Sequence, residues 1–300
     1  MGEYLGVKRT VQTDGSITLT QPHLIESILN DLNLNARTKS KDTPAQPTKI
    51  LHQDAHGINH DPKRFDYRSV IGKLNFLEKS TRPDIAYAVH QCARFSIDPK
   101  ECHSNAVMRI GRYLHGTRDR GITMKPTQHC FDCWVDADYS GTWNKDICEE
   151  DATTAKSRSG YVIRYAGCPI IWGSRMQTTI ALSTTEAEYN ALSMACREVI
   201  YIQQLMEDMK RNGIPIQEMI PSIHCKLFED NMGACELAKV PKMRARTKHI
   251  NIKYHHFREW VTQNKISIHV ISTTNQLADI FTKPLSTDLF TKCRKSILMW

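Results

Sequence analysis

Between residues 130 and 285 the apolar pattern changes period in an order that few folds accommodate. Three short runs of strand character, 130–136, 160–165 and 169–173, follow one another with no helix between them, and a helical pattern then extends from Thr184 to about residue 210. An apolar run at 223–228, helical stretches from about Asn231 and around 250–262, a further run at 266–271 and a helix from about Asn275 complete the series. A mixed sheet with helices packed on it is the natural solution for such an order. We therefore expect an α/β fold with a five-stranded mixed sheet over this part of the chain.

The preceding residues read differently. Tyr4, Leu5 and Val7 on one side and Ile17 and Leu19 on the other flank Asp14-Gly15, a two-residue hairpin signal. From Pro22 onward Leu24, Ile25, Ile28, Leu29 and Leu32 recur at helical spacing. Residues 36–66 are polar and broken by Pro44, Pro47 and Pro62, which predicts an irregular connector. A helix from Tyr67 to about Lys79 stops before Pro83, and two more amphipathic stretches follow, one carrying Ile85, Ala88, Val89, Cys92 and Phe95, the other Val107, Ile110, Tyr113 and Leu114. None of these gathers catalytic residue types. Residues 1–127 thus read as a smaller, mostly helical module with an N-terminal β-hairpin, and residues 128–300 as a second domain.

Two domains also suit a chain of 300 residues, which exceeds the usual size of roughly 100–200 for one. The excess of 40 Lys+Arg over 32 Asp+Glu favours a polyanionic partner. No apolar run approaches the roughly 20 residues of a membrane span, and the first residues lack the order of a secretory signal, so a cytoplasmic or nuclear, non-secreted protein is expected. Ten scattered cysteines suit reduced thiols. His129, Cys130, Cys133 and Cys148 hint at zinc, but they hold a single close Cys pair, and cysteines in a strand core explain them better.

Four carboxylates stand at positions where an open α/β sheet collects its ligands. Asp136 ends the first strand of the second domain, Glu188 lies in the long helix, Asp230 follows the fourth strand, and Asp279 begins the last helix. Acidic oxygens are the ligands Mg²⁺ prefers. Within Ser183-Thr184-Thr185-Glu186-Ala187-Glu188-Tyr189, Ser183 and Glu186 form a capping box, which gives Glu186 a structural task. Glu186 shares its face with Asn190, Ser193 and Arg197; Glu188 shares its face with Ala191, Leu192, Ala195 and Val199 and needs a cation or a partner there. Asp138 lies on the same side of its strand as Asp136 but beyond the expected strand end, where a turn or supporting role suits it better. Asp230 precedes Asn231 and reads equally as a helix N-cap or as a site residue. From Lys239 to Arg258 seven cations (Lys239, Lys242, Arg244, Arg246, Lys248, Lys253, Arg258) occur without an acid, interleaved with Tyr254, His255, His256 and Phe257, a composition suited to phosphate contact.

These residues resemble the Pol polyproteins of copia-type long-terminal-repeat retrotransposons, essentially end to end. The marks are Val135-Asp136-Ala137-Asp138, Lys156-Ser157-Arg158-Ser159-Gly160-Tyr161-Val162, the stretch from Leu182 to Leu192, Glu229-Asp230-Asn231, Arg246-Thr247-Lys248-His249-Ile250 and Gln276-Leu277-Ala278-Asp279-Ile280-Phe281-Thr282-Lys283-Pro284-Leu285. Upstream, Tyr4-Leu5-Gly6, Leu19-Thr20-Gln21 and Arg82-Pro83-Asp84-Ile85 match the end of the reverse transcriptase and its tether.

The resemblance implies a ribonuclease H-like domain over 128–300 that hydrolyses the RNA strand of an RNA–DNA hybrid. Asp136, Glu188, Asp230 and Asp279 would be the catalytic ligands of two divalent metal ions, Mg²⁺ or Mn²⁺, with Asp136 bridging both. Lys242, Arg244, Arg246, Lys248, Lys253 and Arg258 would contact the hybrid, whose RNA strand is told apart by its 2′-hydroxyls. The upstream polymerase core would be a partner; its Tyr-Val-Asp-Asp motif does not occur in this sequence, so polymerisation is not expected. A catalytically silent, nucleic-acid-binding or structural remnant of a decayed element is the alternative. Two departures stand out. Residues 141–155 are longer than the family's loop and add Asp146, Glu149, Glu150 and Asp151, and Ser272-Thr273-Thr274-Asn275 lacks the mobile histidine that cellular ribonucleases H place before the last aspartate.

Overall fold

The computed structural model describes residues 2–47, 49–54, 56–127, 130–146, 148, 151–214, 223–239 and 256–300. By contacts the chain forms two compact units, one of Met1–Lys125, Thr142–Thr154 and Lys283–Trp300, the other of Pro126–Gly141 and Ala155–Thr282.

In the first unit Glu3–Tyr4 (β1), Val7–Val11 (β2), Ile17–Thr20 (β3) and Ile122–Met124 (β4) pair antiparallel in that order. The expected hairpin is β2–β3, with a longer loop than two residues. The Gln12 N–H donates to the Ser16 carbonyl at 2.8 Å, and the Asp14 carboxylate accepts from the Ser16 backbone N–H and hydroxyl. What reads as one strand from Tyr4 to Val7 is folded at Leu5-Gly6, whose φ angles of 51° and 74° make a tight turn. Four helices follow where the apolar spacing predicts them: Pro22–Asp31 (α1), Tyr67–Ser80 (α2), Ala86–Ala93 (α3) and Glu101–Gly116 (α4). Their facing residues, including Ile25, Ile28, Leu74, Leu77, Val89, Val107 and Ile110, are buried.

The Arg82-Pro83-Asp84-Ile85 segment is a structural centre of this unit. Arg82 is fully buried, and its Nε and Nη2 donate to Asp84 Oδ1 and Oδ2 at 2.9 and 2.8 Å. The Tyr113 hydroxyl donates to the same carboxylate at 2.6 Å, and Nη2 of Arg82 also reaches the Thr117 hydroxyl. A buried charge pair of this kind is tolerable because nearly every polar atom has a partner.

In the second unit Phe131–Asp138 (β5), Arg158–Tyr165 (β6), Cys168–Met176 (β7), Cys225–Glu229 (β8) and Ile266–Val270 (β9) form one sheet in the order β7-β6-β5-β8-β9. The first three pair antiparallel, while β5, β8 and β9 run parallel. This is the ribonuclease H-like mixed five-stranded sheet that the resemblance implies. Thr184–Arg211 (α5) packs against β5 and β6, burying Tyr189, Leu192, Ala195 and Val199 with Phe131, Cys133 and Val135. Cys133 is therefore a core thiol, whose burial pushes it well above its ordinary range. Met232–Lys239 (α6) and Arg258–Thr262 (α7) follow, and residues 250–255 of the helix expected around 250–262 lie outside the described residues.

The helix expected from Asn275 is different in the structure. Thr273–Asn275 is a single 3-10 turn, Asp279–Thr282 (α8) is one turn of α-helix packed against β5, β6 and β7, and Thr287–Leu298 (α9) is separate. Pro284 interrupts the pattern because it lacks the N–H that would continue the helix. Among the described residues no helix is long and apolar enough to cross a membrane.

Candidate metal centre

Since β5 and β8 are neighbouring parallel strands, their C-terminal ends lie side by side, and the second turn of α5 comes to the same place. Asp136, Glu188 and Asp230 each offer a carboxylate oxygen there, all within 4.8 Å of one another. Asp136 and Glu188 are buried, at 2% and 7% exposure, and Asp230 is partly exposed. Three like charges so close and so dry repel strongly unless they share protons or a cation.

Glu188 shows that strain most clearly. Its Oε2 is buried without a hydrogen-bond partner among the described residues. Burial pushes its carboxyl well above the ordinary range; Glu229, Asp136 and Asp230 push the same way, and a bond from the Ala137 backbone N–H opposes them. Glu186, the other acid of the segment, is spoken for. Its Oε2 accepts from the Leu182 N–H at 2.7 Å while its own N–H donates to the Ser183 hydroxyl at 3.2 Å, so the reciprocal bond reaches one residue further back than the expected capping box. The polar face that it shares with Asn190 and Ser193 is buried as well, because Gln177 lines it: its amide NH₂ donates to the Ser159 hydroxyl and the Ala187 carbonyl, and its carbonyl accepts from Asn190.

The two readings of Asp230 separate in the structure. Asn231, not Asp230, accepts from the Ala234 N–H at 2.9 Å and so caps α6, which leaves the Asp230 carboxylate to the cluster.

Sequence reasoning missed Glu229. It is fully buried, its Oε1 accepts from the Asn231 N–H at 3.1 Å, and its Oε2 has no partner among the described residues. Burial raises its carboxyl well above the ordinary range, and Asp136 and Asp230 add to the rise. The signal was present: Cys225, Leu227 and Glu229 share the inner side of β8 by the two-residue period, and a carboxylate in that row is out of place without a cation.

Asp279 is buried at the start of α8 and is not one of the three carboxylates within 4.8 Å. Asp138 is likewise outside that group; it sits over Gly141, where an added Cβ would fall 1.8 Å from its Oδ2. Of the additional acids in 141–155, Asp151 accepts from the Thr153 N–H and hydroxyl and stands 3.9 Å from Arg94, all within the first unit; Glu149 and Glu150 lie outside the described residues. So do Lys242, Arg244, Arg246, Lys248 and Lys253. Arg258 is described: its Nη2 donates to the Leu237 carbonyl at 2.6 Å and its guanidinium lies 5.9 Å from the centre of the Tyr189 ring.

The donor set suits a hard divalent cation, since it consists of carboxylates, one of which, Glu188, has a buried oxygen that nothing in the described protein satisfies.

No family model matches the chain. It is 31% identical over 302 residues to the "Retrovirus-related Pol polyprotein from transposon TNT 1-94" of Nicotiana tabacum, a match covering 99% of this chain and 21% of that protein. To the corresponding polyprotein from transposon RE1 of Arabidopsis thaliana it is 34% identical over 288 residues, covering 96% of this chain and 18% of that one. The chain thus spans about one fifth of the length of these curated relatives. Among solved structures, the LC11 ribonuclease H1 isolated from compost aligns with 55% of this chain and 98% of its own at a TM-score of 0.34 and 14% identity.

Proposed function

Because the chain belongs to the Pol polyproteins of copia-type retrotransposons, we propose that residues 128–300 hydrolyse the RNA strand of RNA–DNA hybrids and that residues 1–127 are a polymerase-derived module that supports them. One observation carries this reading above the others: Asp136, Glu188 and Asp230 meet within 4.8 Å at one end of the sheet, with a Glu188 oxygen buried and unsatisfied. A purely structural remnant has no use for so costly an arrangement.

In this reading Asp136, Glu188, Asp230 and Asp279 hold two divalent ions, Mg²⁺ or Mn²⁺. The bound ions supply activation of water and neutralisation of charge at the scissile phosphate. The protein's own part is to gather the carboxylates, to hold them so close together that a divalent cation relieves their mutual repulsion, and to orient the hybrid. Glu229 adds negative charge behind the cluster. Lys242, Arg244, Arg246, Lys248, Lys253 and Arg258 bind the phosphates of the hybrid. An RNA-specific cut requires recognition of the 2′-hydroxyl, the group DNA lacks. The setting is reverse transcription beside the upstream polymerase core, in a cytoplasmic particle or the nucleus.

The test is cleavage of a hybrid labelled on each strand in turn, with Mg²⁺, with Mn²⁺ and with chelator. Metal-dependent cuts confined to the RNA strand are expected. Binding of the hybrid without cleavage under either metal would favour a silent nucleic-acid-binding remnant instead.

A further inference from the structure

One buried hydroxyl touches the acidic cluster at Asp136. Thr282, the last residue of α8, is fully buried and donates its hydroxyl to Oδ2 of Asp136. The same oxygen lies 3.3 Å from the Asp279 carbonyl, within its own helical turn.

Two further features hold α8 where this contact is possible. Gln276 clamps the approach to the helix: its Nε2 donates to the Val135 carbonyl at 2.7 Å, next to Asp136, and its Oε1 accepts from the Ala278 N–H at 3.1 Å. Gly160 is the cross-strand partner of Asp136, and a Cβ there would fall 2.7 Å from both Phe281 Cβ and Thr282 Cγ2. The missing side chain at 160 is what lets α8 come down onto the sheet beside Asp136.

We propose that Thr282 is a positioning residue for Asp136: its hydroxyl fixes the rotation of that carboxylate so that Asp136 stays turned into the cluster as a metal ligand. The inference rests on the reading of Asp136 as a ligand given above. Like charges surround Asp136 in Glu188, Glu229 and Asp230, and repulsion favours turning it away. A donor held rigidly on one oxygen opposes that rotation whether or not a cation is present. Hydrogen bonds to ligating carboxylates from the surrounding protein are worth about 10–100-fold in metal affinity where they have been removed.

The experiment uses the full chain and compares wild type with Thr282→Val, which keeps the shape and loses the hydroxyl, and Thr282→Ser, which keeps the hydroxyl. Mn²⁺ affinity is measured by calorimetric titration, and hybrid cleavage by kcat and KM. Thr282→Val should bind Mn²⁺ about 10–100-fold more weakly, and lose kcat with KM for the hybrid nearly unchanged, while Thr282→Ser stays within a few-fold of wild type. If Thr282→Val does not fold, Thr282→Ala serves as the hydroxyl-free variant. Equal Mn²⁺ affinity in wild type and Thr282→Val overturns the inference, as does a Thr282→Ser as weak as Thr282→Val. Failure of wild type itself to bind Mn²⁺ is a separate result that overturns the reading of the cluster first.

Discussion

Gly160→Ala tests how closely α8 must approach the sheet. The added Cβ would lie 2.7 Å from Phe281 Cβ and Thr282 Cγ2 and 3.1 Å from the Ala278 carbonyl oxygen. Carbon atoms rest at about 3.5–4.0 Å, so the shortfall is about 1 Å. None of the three atoms is the far end of a flexible side chain. The strain therefore falls on the backbone of α8 or of β6, and overpacking of this kind costs about 1–3 kcal/mol. Alanine in a strand recovers roughly 0.5–1 kcal/mol relative to glycine, so an overpacking cost in the middle of that range, about 2 kcal/mol, leaves a net loss of roughly 1–1.5 kcal/mol. With a urea dependence of about 2 kcal/mol/M, the unfolding midpoint of the variant falls by roughly 0.5–0.75 M. Asp279 and Thr282 ride on the displaced turn, and a misplacement of about 1 Å can cost on the order of 100-fold in cleavage rate. Urea titration followed by tryptophan fluorescence measures the first effect and hybrid cleavage the second. An unchanged midpoint together with a wild-type rate would refute the close packing of α8 on Gly160.

Asp136→Asn and Asp230→Asn should each abolish hybrid cleavage while leaving the circular dichroism spectrum and urea midpoint near wild type, since each removes a ligand charge and no core volume; a variant that cuts normally places the site elsewhere. Replacing Arg244, Arg246 and Lys248 by alanine should lower the slope of log affinity for hybrid against log salt by roughly two to three, at about 0.9 per phosphate contact, and parallel lines for variant and wild type would mean that this run does not touch the phosphates. In the first unit Asp84→Asn leaves Arg82 as a buried, under-compensated charge and should cost about 3–5 kcal/mol by denaturant unfolding, a change below about 1 kcal/mol arguing against the buried pair. Glu229 supplies a pH signature in chelator: its carboxyl is raised above the ordinary 4.5 in the folded chain, so the stability linked to it is full below that pH and is lost as pH rises. The advantage of Glu229→Gln over metal-free wild type should therefore grow in thermal melts from pH 4.5 to 8, and a constant difference would remove the coupling.

Much of this architecture can be read from the amino-acid order because single elements obey one period. The long helix expected from Thr184 to about 210 is Thr184–Arg211, and the five strands of the second unit lie within a few residues of their apolar runs. Helical geometry alone turned Glu188 toward the sheet. The same reasoning treated Glu186, Asn190 and Ser193 as the other, polar face, yet all three are buried, and Gln177 from the end of β7 bonds Asn190 and the Ala187 carbonyl there, contacts that no local pattern announces. Glu229 was passed over for its neighbour Asp230, although alternation along β8 points it inward. The role of α8 was out of reach for a different reason. Its seat depends on Gly160 and Val135, more than 100 residues earlier in the chain, so neither Thr282 nor Gln276 carries a local sign of its contact with β5.

The central claim is that the buried carboxylates form a divalent-ion site, and counting ions tests it without any substrate. Mn²⁺ is titrated into the full chain and free ion is followed by electron paramagnetic resonance, for wild type and for Asp136→Asn, with Mg²⁺ added as competitor. Saturable uptake approaching two ions per chain, displaced by Mg²⁺ and largely lost in Asp136→Asn, is the expected result. Absence of saturable uptake at millimolar Mn²⁺, or uptake unchanged in Asp136→Asn, would contradict the assignment of Asp136, Glu188 and Asp230 as its ligands.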